Sequence, residues 1–206
     1  MSDWIYLQMC VRRYKAAGVI FVHIPKSAGT SVANATIGRR AGHFTAQQIR
    51  KQMGTAYDKL FKFAVVRHPR DRLLSAYSFA RKGSTGSGAI RNPAQYQGQA
   101  FRSFDAFVEE WLDTPNPDDL RTRNVIFQPQ SDFIFAADRL LVDYVGKVEA
   151  MGEVSQTLSE RLRRELHIGH ENRSGHSSDF ESAYTPTTRK IVERLYAQDF
   201  ENFQYD

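Results

Sequence analysis

The chain of 206 residues contains a single cysteine, Cys10. That excludes an intrachain disulfide and a multi-cysteine zinc site, and it suits a reducing compartment. No apolar run approaches the roughly 18 residues of a membrane span. The N-terminal WIYLQMCV is interrupted by Gln8 and followed by Arg12 and Arg13, whereas a signal peptide carries its positive charges first. The expectation is a soluble protein, cytoplasmic by default, with no membrane span. Internal repeats and long polar tracts are absent, which excludes a repeat array. No recognition helix or aromatic-plus-basic RNA signature is present, so nucleic acid is not an expected partner. Nothing in the chain specifies an oligomeric state.

What is present fits one domain, residues 1–206, with a substantial core. A net charge of +5 favours anionic partners without choosing among nucleotide, glycan and membrane surface. The hydrophobic pattern predicts a strand over about 18–24, then a helix over about 29–38 with Thr30 or Ser31 as its cap. A second strand, KFAVVR, runs into His68-Pro69 and a helix over about 69–82. Strand–turn–helix thus occurs twice. The fold class is α/β: a P-loop-like three-layer arrangement with a central parallel sheet flanked by helices.

Residues 83–100, rich in Gly, Ser, Gln and Asn, read as a flexible loop. Ser103 caps a helix whose Phe104, Phe107, Val108, Trp111 and Leu112 follow helical spacing. LLVDYVGKVE reads as a later strand. Met151, Val154, Leu158, Leu162 and Leu166 form a helical stripe, with Arg161, Arg163 and Arg164 on a solvated face. Thr185-Pro186 opens the last helix.

The chemistry centres on VIFVHIPKSAGTS, residues 19–31. An apolar strand gives way to a small-residue turn and a helix start. Such a junction aims backbone N–H groups at one point, where the helix end adds partial positive charge and Lys26 a full one. It suits an anion such as a phosphate. A Walker-type loop needs Gly-Lys-Ser/Thr, with the hydroxyl on magnesium. Here Lys26 precedes Gly29, and no Lys follows it. At the second junction Arg67 stands at a strand tip, with Ser75 eight residues on in the helix. If the strands are neighbours, both junctions open on the carboxyl edge of the sheet, where open α/β folds bind ligands. A nucleotide phosphorylated at two positions would satisfy both.

HIPKSAGTS followed by FAVVRHPRDRLLSAY resembles the paired signature of sulfotransferases that use 3′-phosphoadenosine 5′-phosphosulfate. The likeness is to the carbohydrate (heparan- and chondroitin-type) enzymes and their bacterial relatives in particular. It implies an enzyme moving a sulfuryl group from that donor to a hydroxyl, with a carbohydrate or glycolipid acceptor. Pro25, Lys26, Ser27, Ala28, Gly29, Thr30 and Ser31 would hold the 5′-phosphosulfate. Arg67 and Ser75 would hold the 3′-phosphate. Asn172, Arg173, Ser174 and Gly175 occupy the place of a loop that closes over the nucleotide. The chain departs from the pattern at His68, often Asn, and at Arg70, often aromatic. Lacking the membrane anchor of the Golgi enzymes, it matches a soluble, bacterial-type member.

In-line displacement at sulfur needs a base for the acceptor proton and an electrostatic clamp on the departing oxygen. Lys26 is the clamp. A sulfuryl group carries less charge than a phosphoryl group, so no metal is required, and no metal site is assigned. His43, between the two motifs, is the candidate base, on a loop ahead of a helix capped by Thr45. His23 reads as packed and hydrogen-bonded, and His68 as a structural or secondary nucleotide contact. His167, His170 and His176 read as solvated. The alternatives are an atypical P-loop kinase and a non-catalytic module that binds polyanions or glycans.

Overall fold

A computed structural model describes residues 2–85, 88–169 and 179–206. They form two compact units. One takes the chain up to Arg67 and resumes at Gln130; the other runs from His68 to Pro129 and includes the C-terminal segment. The first unit begins with α1 (Asp3–Ala17), β1 (Val19–Val22), α2 (Gly29–Ile37), α3 (Ala46–Met53), the single turn α4 (Ala56–Lys59) and β2 (Phe61–Val66). The second opens with α5 (Pro69–Lys82), the short strands β3 (Ser84–Thr85) and β4 (Gly88–Ala89), and α6 (Phe104–Ala106). The chain then returns to the first unit with α7 (Ser131–Ile134), the pair β5 (Phe135–Ala136) and β6 (Arg139–Leu140), β7 (Tyr144–Lys147) and α8 (Met151–Leu162). Helices α9 (Pro186–Leu195) and α10 (Ala197–Phe203) belong to the second unit.

The first unit is built on a three-stranded parallel sheet in the order β1-β2-β7. The four residues of β1 are all buried, the pattern of a parallel strand covered on both faces. Helices α1 and α2 pack on β1, and α8 packs on β7. Gly146 lets α8 approach, since a Cβ there would lie 2.5 Å from Val154 Cγ2. Asp143 fixes the start of β7 beside β2: its Oδ2 accepts from the Lys62 N–H at 2.9 Å and pairs with Lys62 Nζ at 2.9 Å. Arg164, expected in solvent, donates to the carbonyls of Ala35 and Thr36. It thereby satisfies open acceptors at the C-terminus of α2, where a cation is favoured.

The second unit has its own aromatic core. Leu73, Leu74 and Tyr77 of α5 meet Phe101, Phe104, Phe107, Phe127 and Tyr196. Pro69 at the first position and Gly83 past the last delimit α5, as the N-terminal proline and C-terminal glycine preferences dictate. Two segments of the second unit take definite local form. Residues 83–101 hold the paired strands β3 and β4 and two 3₁₀ turns, Pro93–Tyr96 and Gln99–Phe101. Ile90, Tyr96 and Phe101 are buried, and those three apolar side chains anchor a segment whose composition is otherwise that of a solvated loop. The helix after Ser103 is α-helical only over α6 and continues as a π-helix over Phe107–Leu112. Its wider turn still buries Phe107, Val108 and Leu112.

Candidate active site

Strand β1 and strand β2 are hydrogen-bonded parallel neighbours, so both of their carboxyl ends lie at one edge of the sheet. After β1 the backbone makes an unusual turn. Lys26 has φ +67° and Ala28 φ +55°, both left-handed. For a residue with a Cβ, this conformation costs roughly 1–2 kcal/mol and persists only where the surroundings enforce it. Ala28 is the N-cap of α2 and supplies no side-chain acceptor. Thr30 and Ser31, expected as caps, instead lie inside the first turn. The N-cap residue itself offers the first turn of α2 no side-chain acceptor, and a helix N-terminus carries partial positive charge.

The loop is fastened from behind. Ser27, 1% exposed, donates through Oγ to Gln130 Oε1 at 3.3 Å. The same oxygen accepts from the Arg67 backbone N–H at 2.9 Å, while Gln130 Nε2 donates to the Arg67 carbonyl at 2.8 Å. The Arg67 guanidinium donates through Nη1 to the Lys26 carbonyl at 3.4 Å. Lys26, Ser27 and Arg67 therefore meet at one edge of the first unit. Gln130 is the residue that sequence reasoning missed. It lies in Gln128-Pro129-Gln130, within a stretch (Gln128 to Phe133) that resembles the family's later segments, but nothing local in the sequence announces its contact with Arg67, and only its complete burial marks it.

His43 is exposed. Its Nδ1 lies 3.2 Å from the His23 carbonyl, an oxygen that only accepts, so Nδ1 carries the proton and Nε2 is the basic nitrogen of the neutral ring. The His43 ring centroid lies 4.2 Å from that of His23. Thr45 caps α3 as expected: its Oγ1 accepts from the Gln48 N–H while Gln48 Oε1 accepts from the Thr45 N–H. That capping box fixes the chain just after His43. His23 is packed and hydrogen-bonded, with Nδ1 2.9 Å from the Ala41 carbonyl. Burial, and then the neighbouring His43, push its pKa down to about 3.

The remaining candidates are spread more widely. Ser75 lies on α5 in the second unit and is 4% exposed. His68 is held in an aromatic nest of Phe180, Phe200 and Tyr205, with Nε2 3.2 Å from the Asp206 carbonyl. Arg70 pairs with Glu181 and Glu193 and donates to the same carbonyl. Both residues that depart from the family pattern thus hold the C-terminal segment. His167 is exposed, 3.4 Å from Glu165. His170, Asn172, Arg173, Ser174, Gly175 and His176 lie outside the described residues. Among the described residues there is no cluster of three or more His, Cys, Asp or Glu able to hold a metal, and no helix is long and apolar enough to cross a membrane.

No curated protein compared with the chain matches it significantly. A family model described as "Sulfotransferase family" matches residues 12–206, a span that contains the loop after β1, Arg67, Ser75 and His43. With nearly its whole length matched, the chain belongs to the sulfotransferase family.

Proposed function

We propose that the protein transfers a sulfuryl group from 3′-phosphoadenosine 5′-phosphosulfate to a hydroxyl of a carbohydrate or glycolipid, with His43 as general base. The observation that carries this reading is the turn after β1, where left-handed Lys26 and Ala28 lead into the N-terminus of α2 and the Arg67 guanidinium reaches the Lys26 carbonyl. It is an anion cradle supplied with two cations at one sheet edge. Its donors suit a nucleotide bearing separate phosphate groups. When bound, the donor supplies the activated sulfuryl group.

In this reading Lys26 and the first turn of α2, with Ser27, Gly29, Thr30 and Ser31 along the loop, hold the 5′-phosphosulfate. Lys26 stabilises charge on the departing oxygen. Arg67 holds the 3′-phosphate. Ser75, Arg173 and Ser174 are assigned to the nucleotide on the sequence motif alone. His43 takes the acceptor proton at Nε2, because the His23 carbonyl already fixes its Nδ1 as the protonated nitrogen.

The deciding measurement is binding of adenosine 3′,5′-bisphosphate without magnesium, followed by transfer of labelled sulfate from the donor to glycans and cell-envelope extracts. Tight magnesium-independent binding and labelled product are expected. A preference for ATP with magnesium would overturn the reading in favour of a kinase. Polyanion binding that falls steeply with salt, without transfer, would favour a binding module.

A further inference from the structure

The proposed reaction uses the His23 carbonyl and leaves the His23 side chain without a task. That side chain touches three segments of the candidate site. Its Nδ1 faces the Ala41 carbonyl at 2.9 Å, and since a carbonyl only accepts, Nδ1 carries the proton and Nε2 the lone pair. The Nε2 edge lies against Gly29, the first residue of α2: a Cβ built on Gly29 would fall 1.8 Å from Nε2 and 1.9 Å from Cδ2. One side of the ring is stacked near Phe21, with centroids 5.5 Å apart and planes at 20°. The His43 ring lies at 4.2 Å.

Gly29 invites a backbone explanation, but the geometry gives another. It is not among the residues with positive φ, whereas its neighbour Ala28 is. The glycine is required because the imidazole occupies the space where a Cβ would stand. The ring is 9% exposed as a residue and stays neutral at working pH, since burial holds its pKa near 3. A neutral ring of fixed tautomer is a rigid spacer. It bears on the start of the phosphate-type loop's helix at one edge and on the segment carrying the base at the other.

We infer that His23 is a positioning residue whose imidazole sets the separation between the Gly29 end of the loop and the His43 ring. The inference rests on the proposed roles of the loop and of His43. It makes the first glycine of the helix and the histidine of the preceding strand a coupled pair.

His23→Asn tests this, because an asparagine keeps an N–H near the Nδ1 position and ends short of Gly29 and His43. Expected are a kcat lower by about 10- to 100-fold, the scale of a misplaced catalytic group, and bisphosphate affinity changed less than kcat. Nitrogen NMR of His43 is expected to show a single Nδ1–H tautomer in the wild type and a mixture in the variant, where the His43 ring loses the imidazole beside it and shifts off the His23 carbonyl that the substitution keeps. Gly29→Ala is expected to lose activity alone and to recover part of it in the His23→Asn background, where space has been vacated. An unchanged kcat with an unchanged His43 tautomer in His23→Asn would overturn the inference. So would an Nε2–H tautomer of His23 in the wild type, a measurement that needs no variant to fold. The tautomer readings need no donor. Failure of the wild type to bind bisphosphate therefore defeats the donor assignment separately, while normal binding with His43 indifferent to His23 defeats this inference alone.

Discussion

Gln130 hydrogen-bonds both backbone groups of Arg67, accepting from its N–H at 2.9 Å and donating to its carbonyl at 2.8 Å. The pattern is that of one strand residue pairing with another, supplied by a side chain at the tip of β2. Because Oε1 also accepts from Ser27, the loop after β1 and the end of β2 are tied to a single buried amide. Removing the amide takes this partner from the part-buried N–H and carbonyl of Arg67, at roughly 1–3 kcal/mol. Gln130→Ala is expected to lower stability by about that amount and to weaken bisphosphate binding, read by urea denaturation and by titration of the ligand. A loss below about 0.5 kcal/mol, the scatter of ordinary surface changes, would mean the amide is not what fastens the loop.

The turn conformation gives a second expectation. Ala28 holds φ +55°, where a Cβ is costly and a β-branched side chain more so. Ala28→Gly removes the local strain but gives the unfolded chain more freedom, so the two effects offset to within about 1 kcal/mol. Ala28→Val is expected to destabilise by more than 1 kcal/mol, on the order of the left-handed penalty, and to disturb the first turn of α2. Thermal melts of the pair check the ordering; equal stability of the two variants would contradict it.

Arg70 supports a third. Its side chain is 7% exposed and bonded to Glu181 at 2.9 Å and Glu193 at 2.8 Å, with the Asp206 carbonyl accepting at 2.7 Å. Truncation takes from Glu181 and Glu193 the cation they share and leaves Arg189 paired with Glu181. Since those carboxylates are themselves part-exposed, water recovers some of the loss, and Arg70→Ala is expected to cost about 2–3 kcal/mol, at or below the lower end for a broken buried pair. Limited proteolysis should then cut the C-terminal segment sooner than in the wild type; unchanged proteolysis and stability would refute the clamp.

These residues also show how far the sequence was legible. Helix α5 was bounded correctly because Pro69 and Gly83 punctuate it chemically, and the Thr45 and Thr185 caps were visible because capping boxes are local. The parallel sheet followed from two strand–turn–helix repeats. The N-cap of α2 was not legible, because an alanine in a left-handed conformation breaks the local preference that makes caps readable. The reason for Gly29 was equally hidden: it depends on an imidazole six residues earlier, brought against it by the turn. Gln130 acts at a sequence separation of 63 from Arg67, and no local pattern announces a contact of that range.

His43 leads to a fourth expectation. It is exposed, so its side chain contributes little to the core, and its Nδ1 is already engaged by the His23 carbonyl. His43→Ala is expected to keep bisphosphate binding within a few-fold and to lose turnover by about 10²- to 10⁴-fold, the range of a general base. Labelled-sulfate transfer and ligand titration on the same preparation separate the two effects. Unchanged turnover would exclude His43 as the base and direct attention to carboxylates.

The pH dependence of stability carries the last expectation. His23 titrates near 3 in the folded chain because burial penalises the imidazolium, with His43 adding to the effect; unfolded, it returns to about 6.5. Between those values the unfolded chain binds a proton that the native chain does not, so the His23 contribution to stability is lost as pH falls from about 6.5 towards 3. The slope from this group alone reaches at most about 1.4 kcal/mol per pH unit. His23→Asn cannot bind that proton in either state, so its deficit relative to wild type should be largest at neutral pH and shrink in acid. Urea midpoints of the two proteins at pH 7.5 and pH 4.5 provide the comparison. A difference between wild type and variant that stays constant with pH would show that the imidazole is not held neutral by the fold.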